Sequence, residues 1–185
     1  MDRFYATTRD RKYLKGFTII EMVIVLAVIG LIAAIVVPRV GLLDGAQLKS
    51  SARRLVGSIR ITYASAVVNK TYYRIRFNLE EHTYTIEQKV GDEYAAATAP
   101  LLEPRLLPGN IYIKRVEVMD RVCEEWCEEF LYFTPGGYVE EAAIYLSIDG
   151  DDRVFSIFTR PMTGRAFIVI EEMSREEWED SEGEL

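Results

Sequence analysis

Phe17-Thr18-Ile19-Ile20-Glu21-Met22-Val23-Ile24-Val25-Leu26-Ala27-Val28-Ile29-Gly30-Leu31-Ile32-Ala33-Ala34-Ile35-Val36-Val37-Pro38 is the stretch on which the reading of this chain turns. From Phe17 to Val37 only Thr18 and Glu21 are distinctly polar. As a helix rising ~1.5 Å per residue, the run is about 30 Å long, the thickness of a bilayer's hydrocarbon core. The competing reading is a helix buried inside a protein. A helix this long and this apolar is out of scale with the core of a 185-residue chain. A membrane span over 17–38 is therefore expected.

The residues before the span agree. Residues 1–16 carry Arg3, Arg9, Arg11, Lys12 and Lys15 against Asp2 and Asp10, a net +3. Basic flanks stay cytoplasmic, which sends the chain after Pro38 outward. A secretory signal peptide would end in a small-residue cleavage site. Val37-Pro38-Arg39-Val40-Gly41 lacks one, so the span is expected to be retained. The far end has the opposite charge: residues 171–185 hold eight acids and only Arg175, a net −7. The whole chain is also −7, with 49% apolar residues, enough for a core. Its acidity argues against broad nucleic-acid binding.

Glu21 is the anomaly within the run. A carboxylate at the centre of a span costs about 2.5–3.5 kcal/mol, and less near an end. The plain alternative is a residue at the membrane interface. The surrounding residues carry a resemblance. Gly16-Phe17-Thr18-Ile19-Ile20-Glu21 resembles the type III signal of type IV pilins and type II secretion pseudopilins. Gly30 and Pro38 also fall where that family commonly has Gly and Pro. The resemblance implies cleavage between Gly16 and Phe17 by a membrane prepilin peptidase and N-methylation of Phe17. Residues 1–16 would then be a leader, long for a pseudopilin. Its loss would leave a mature chain of formal charge −10. The resemblance also implies that Glu21 pairs with the Phe17 amine of a neighbouring subunit, because either charge left alone in an apolar bundle is costly.

Beyond Pro38, Gly41 and Gly45 mark a possible break. Leu48, Ala52, Leu55, Val56, Ile59, Tyr63, Ala66 and Val67 then form the stripe of an amphipathic helix over 39–70. Asn69 is a plausible end. Lys49, Ser50, Arg53, Arg54 and Arg60 occupy the other face. Residues 71–170 read as β. Strands are expected at 72–79, 83–90, from Ile111, at 129–134, 138–148, 153–159 and 165–170. The stretch 91–109, with Pro100, Pro104 and Pro108, reads as a surface loop. The expected class is α+β: a long N-terminal helix, membrane-spanning then amphipathic, on antiparallel sheet, with two small sheets possible. Residues 171–185 read as an acidic tail, its plainest role a solubilising extension.

Two turns narrow the resemblance. Phe133-Thr134-Pro135-Gly136-Gly137 is followed by Arg160-Pro161-Met162-Thr163-Gly164-Arg165. Their order is similar to that in the GspH/FimT family, although turns need Pro and Gly for backbone reasons alone. The resemblance implies a pilin-like fold and the H-type minor pseudopilin. The implied role is a structural subunit of the periplasmic pseudopilus of a type II secretion system. The implied partners are other pseudopilins, major and minor, the prepilin peptidase and the inner-membrane assembly platform. The alternative is a FimT-like minor pilin acting in pilus assembly or DNA uptake.

Other candidate sites are few. Cys123-Glu124-Glu125-Trp126-Cys127 would face an oxidising compartment, so a disulfide is expected over two free thiols, with Trp126 as a possible cover. Asp149-Gly150-Asp151-Asp152 gathers three carboxylates, as calcium requires, yet Asp-Gly is also the commonest hairpin signal. The hairpin is preferred, leaving Asp149, Asp151 and Asp152 as a weak calcium candidate and no cofactor expected. His82 is the only histidine, beside Glu80 and Glu81 in a turn. No phosphate loop, zinc motif or nucleophile elbow is present, and no catalysis is expected.

Overall fold

A computed structural model describes residues 17–97 and 105–183. The leader with Gly16, the loop residues Pro100 and Pro104, and the final Glu184-Leu185 lie outside the described residues. Helix α1 runs Ile19–Asn69, 51 residues, and ends at the expected asparagine. The possible break at Gly41 and Gly45 does not occur, because the helix passes through both. A glycine costs about 1 kcal/mol against alanine inside a helix, too little to stop one held by packing. Gly45 has another use: a Cβ there would run into the guanidinium of Arg153. The chain divides into two units, residues 1–41 and 42–185.

In the second unit the helical stripe works as predicted, with one shift. Leu48, Ala52, Leu55, Val56, Ile59 and Ala66 are buried in a single core. Val67 is exposed, and Thr62 is the fully buried neighbour instead. The alternating steps of four and three thus continue to Ala66 through a threonine. Its hydroxyl donates to the carbonyl of Ser58 at 2.7 Å, so the buried polar atom costs little.

Two antiparallel sheets complete this core. The first consists of β1 (Tyr73–Asn78), β2 (Thr83–Val90), β3 (Glu93–Ala96), β4 (Arg105–Leu106), β7 (Glu128–Thr134) and β8 (Tyr138–Val139). Its order is β3-β2-β1-β7-β8, with β4 also on β2. The second consists of β5 (Ile111–Val118), β6 (Arg121–Glu124), β9 (Ala142–Ile148), β10 (Asp151–Arg160) and β11 (Arg165–Val169), in the order β11-β10-β9-β5-β6. In β1, Tyr73, Ile75 and Phe77 point into the core while Arg74, Arg76 and Asn78 do not, the period-two pattern of a half-buried strand.

The sequence reading needs three corrections here. The strand expected at 138–148 is two strands in different sheets, β8 and β9, separated at Glu140-Glu141. The stretch read as a loop holds the short strands β3 and β4, both paired with β2. The acidic tail is not merely a solvated extension. Arg175–Gly183 forms helix α2, and Trp178 stacks on Phe158 with ring centroids 4.9 Å apart. This docking explains why every residue of β9 is buried. Ile144 and Leu146 face the main core, while Ala143 and Tyr145 lie in a second cluster with Val154, Phe158 and Trp178.

Candidate functional site

The N-terminal segment opens with a cap. Glu21 N–H donates to Thr18 Oγ1 at 3.3 Å, and α1 starts at Ile19. Thr18-Ile19-Ile20-Glu21 thus has the order of a capping box, threonine before the first turn and glutamate three residues on. A carboxylate in the first turn also suits the helix dipole. The Glu21 carboxylate itself makes no ion pair among the described residues, so it remains available. Sequence reading found Glu21 by its oddity but missed Thr18, although the spacing was visible.

The apolar side chains that follow have no cover among the described residues. Every residue from Phe17 to Ile32 is exposed, Ile19 by 87% and Leu26 by 64%. Among the described residues no helix has a stretch long and apolar enough to cross a membrane. The apolar run itself continues to Val37, beyond Ile32, the last of these whose side chain is described. Pro38 and the rest of the expected span lie past that point.

The two turns singled out in the sequence meet on one residue of α1. The Tyr63 hydroxyl donates toward the carbonyls of Gly137 at 3.0 Å and Met162 at 3.1 Å. Gly137 and Gly164 have φ of +81° and +61°. A Cβ on Gly164 would overlap the Tyr63 ring. Glycine is required there twice, by backbone conformation and by the ring. Thr134 Oγ1 accepts from Tyr138 N–H at 3.2 Å, and Thr163 Oγ1 accepts from Arg165 N–H at 3.2 Å, closing each turn. One tyrosine therefore ties the helix to the β7–β8 turn of one sheet and the β10–β11 turn of the other. Sequence reading placed Tyr63 on the buried stripe but had no way to connect it with turns 74 and 99 residues away.

The remaining candidates separate. Cys123 and Cys127 are joined by a disulfide, with Cα atoms 6.0 Å apart. Trp126 does not cover it: the indole is 79% exposed. Asp149 lies in the β9–β10 turn, and Asp151 and Asp152 open β10. Arg153 donates to the Asp151 carboxylate through Nε at 2.7 Å and through its backbone N–H at 2.9 Å. These bonds hold the Asp151 carboxyl below the usual carboxylate range, the side-chain bond first. Among the described residues no group of three or more His, Cys, Asp or Glu side chains is placed to hold a metal. His82 sits in its turn at φ +51° beside the ring of Tyr112. Lys49, Arg53, Arg54 and Arg60 are all exposed on α1 and make no ion pair among the described residues.

Comparison with known proteins adds two findings. Residues 11–37 match the model of the prokaryotic N-terminal methylation motif. In fold, the chain is similar to the minor pseudopilin EpsH from the type 2 secretion system of Vibrio cholerae. One EpsH structure aligns with TM-score 0.57 at 12% identity, over 69% of this chain and 98% of that one. A second gives 0.55 at 12%, over 67% and 97%. The type IV minor pilin FimU of Pseudomonas aeruginosa aligns at 0.45 and 18%, over 70% and 91%. No curated protein matches the sequence. The chain thus joins an N-terminal methylation motif to a pseudopilin fold, an α1 helix on two antiparallel sheets.

Proposed function

We propose that this pilin-like chain is a minor pseudopilin, a structural subunit of the periplasmic pseudopilus of a type II secretion system. The observation that carries this reading is the segment from Phe17 to Ile32. It is apolar on every side, exposed on every side, and opens at a capped turn holding Glu21, which makes no ion pair among the described residues. Apolar surface of that extent is unfavourable in water and calls for a cover from outside the chain. A bilayer supplies one before assembly, and a bundle of neighbouring helices supplies one afterwards. The leader stays cytoplasmic and residues 42–185 lie in the periplasm. Prepilin peptidase cuts after Gly16 and methylates Phe17. Other pseudopilins and the inner-membrane assembly platform are the partners.

Within the bundle, Glu21 meets the Phe17 amine of a neighbour. That amine exists only after cleavage, so processing and assembly are linked by one charge pair. Mass spectrometry of the chain from cells with and without the peptidase should show loss of residues 1–16 and gain of one methyl group. Glu21→Ala should still be processed and still fold, but should be absent from sheared fibres. Incorporation at wild-type level would refute the role of Glu21.

A second reading, a FimT-like minor pilin for DNA uptake, draws on Lys49, Arg53, Arg54 and Arg60. Four exposed cations on one helix, without ion-pair partners among the described residues, are what phosphate contacts need. The acidic α2 weighs against it. A gel shift with double-stranded DNA decides: salt-sensitive binding lost on changing Arg53, Arg54 and Arg60 to Ala supports uptake, and no binding at low salt removes it.

A further inference from the structure

The outermost strands of the two sheets differ in how they are guarded. In the first sheet β4 and β8 have two residues each, and β3 has four, opening on Glu93. In the second sheet β6 has four residues, with Arg121 and Glu124 at its ends. Short or charged edges resist pairing with another chain. The other edge of the second sheet is β11. Its register with β10 is continuous from Arg165 to Val169, without a bulge. After Arg165 it reads Ala166-Phe167-Ile168-Val169, uncharged and without proline, and Ile170 follows, 65% exposed.

The neighbouring strands fix where its backbone groups point. Ala142 N–H, at the start of β9, donates to Thr159 Oγ1 on β10 at 2.7 Å. One residue earlier the Glu141 carbonyl accepts from Met119 N–H, just past β5, at 2.9 Å. Backbone groups alternate from side to side along a strand. Ile144 therefore faces its partner Ile157 on β10, and Phe158 faces its partner Phe167 on β11. The N–H and C=O groups of Ala166 and Ile168 are left pointing out of the sheet. Among the described residues nothing bonds to them.

We propose that this edge pairs with the same edge of a second copy, β11 on β11, antiparallel about a two-fold axis at Phe167. In that register Ala166 lies opposite Ile168 of the second copy, and Ile168 opposite its Ala166. Every outward N–H and C=O of these residues is then bonded in both copies. Phe167 meets Phe167 in a non-hydrogen-bonded pair, where side chains stand closest. Arg165 lies opposite Val169, so no like charges meet. The occupant is the same chain because β11 itself is the strand its edge calls for: uncharged, of matched length and self-complementary in register. Among the described residues no other edge strand of a second copy has an uncharged run as long.

Such a pair sets the helices against each other. Helix α1 runs beside β10 in the same direction: Gly45 adjoins Arg153 near the start of β10, and Tyr63 adjoins Gly164 just past its end. The two-fold axis stands perpendicular to the sheet, so residues 42–69 of the two copies point opposite ways. Subunits of the fibre proposed above all point one way. The dimer is therefore a form of the chain outside the fibre, a step that rests on that proposed function.

Cysteine pairs test the register. The full chain in detergent micelles is prepared as Arg165→Cys and as Val169→Cys, and the two are mixed under mild oxidation. Positions 165 and 169 of opposite copies have Cα atoms ~4.5 Å apart, within disulfide reach. Two copies of one variant hold their cysteines about 14 Å apart, out of reach. The mixture should give about 10-fold more linked dimer than either variant alone. Ile168→Pro added to both removes an outward N–H and spares the bonds to β10. It should abolish the link while the circular dichroism melt stays cooperative. No link in the mixture, with melts like the wild type's, overturns the proposal. Equal linking of each variant alone overturns it too, since crowding in the micelle then suffices. Linking of Val169→Cys to a different protein in native membranes would give the edge to that protein instead. In cells expressing both variants, the linked dimer should be absent from sheared fibres. Its presence there would overturn the placement outside the fibre and leave the pairing standing, whereas failure to link leaves the proposed function untouched.

Discussion

Helix α1 contains two apolar stretches that are treated in opposite ways. From Leu48 to Ala66 the apolar and small residues recur at steps of four and three, and that stripe is buried, with Ser51, Val56 and Ser58 beside it. From Phe17 to Ile32 they fill every face, and all are exposed. The difference lies in pattern rather than in composition. A stripe can be satisfied by one surface, and the two sheets provide it. A helix apolar all round can be satisfied only by being surrounded, and the described part of this chain has nothing with which to surround it. Periodicity in the sequence thus distinguishes a helix that folds with its own chain from one that waits for lipid or other subunits.

The sharpest way to break this comparison is to place a carboxylate in each half. Ile59 is fully buried in the core. Ile59→Asp should unfold residues 42–185, because an unpaired charge has no partner there and the cost exceeds about 4 kcal/mol. Ile24 is 57% exposed. Ile24→Asp should leave the melting of the domain unchanged while lowering membrane insertion. Circular dichroism melts and membrane fractionation separate the two outcomes. If both variants unfolded the domain, the two halves of α1 would not be independent in the way their burial implies.

A smaller effect probes how the buried half is locked. Gly164→Ala forces a Cβ into the Tyr63 ring at a backbone conformation that favours glycine. It should cost about 2–3 kcal/mol, part steric and part backbone. Tyr63→Phe keeps the ring and removes the hydroxyl shared by Gly137 and Met162. Its cost should be about 1 kcal/mol. Urea titration measures both. Equal losses would mean that the hydroxyl, not the fit of ring against glycine, holds the turns to the helix.

These residues also mark how far sequence reading reached. The helix stripe, the main strands and the two glycine turns were legible because each rests on local spacing or local backbone need. Tyr63 was visible as a buried position but not as the meeting point, since that contact joins residues far apart in sequence. Glu21 was legible as a charge in an apolar run, whereas its cap by Thr18 was overlooked. The same happened at the other end. Ser174 and Glu177 form a reciprocal cap, Glu177 N–H to Ser174 Oγ at 3.3 Å and Ser174 N–H to Glu177 Oε2 at 2.8 Å. The high charge of the tail hid that signal and the single apolar anchor, Trp178, behind an appearance of disorder. The division of 138–148 between two sheets is marked only by Glu140-Glu141, a short interruption between the β-formers of β8 and β9.

The smallest predicted effect concerns that tail, and its sign can be worked out. Glu141, just before β9, has its carboxyl raised above the usual 4.5, first by burial and then by the neighbouring carboxylate of Glu179 on α2, with Arg175 opposing. A group whose pKa rises on folding holds its proton more tightly in the folded state. Its contribution is full below the unfolded value and is lost as pH rises through the folded one. Docking of α2 should therefore tighten from pH 7 toward pH 4.5 through this pair. Glu177 acts the other way: bonds from Ser174 lower its pKa, so its cap weakens as pH falls through that lowered value. The two trends occupy different windows, Glu141 above the ordinary carboxylate range and Glu177 below it. Glu141→Gln, permanently uncharged, should abolish the pH dependence between 7 and 4.5 while keeping α2 docked. Hydrogen exchange at the Trp178 amide, which bonds to the Ser174 carbonyl at 3.1 Å, reads the docking directly. If protection rose with pH in the wild type, burial of Glu141 would not be what couples α2 to the sheet.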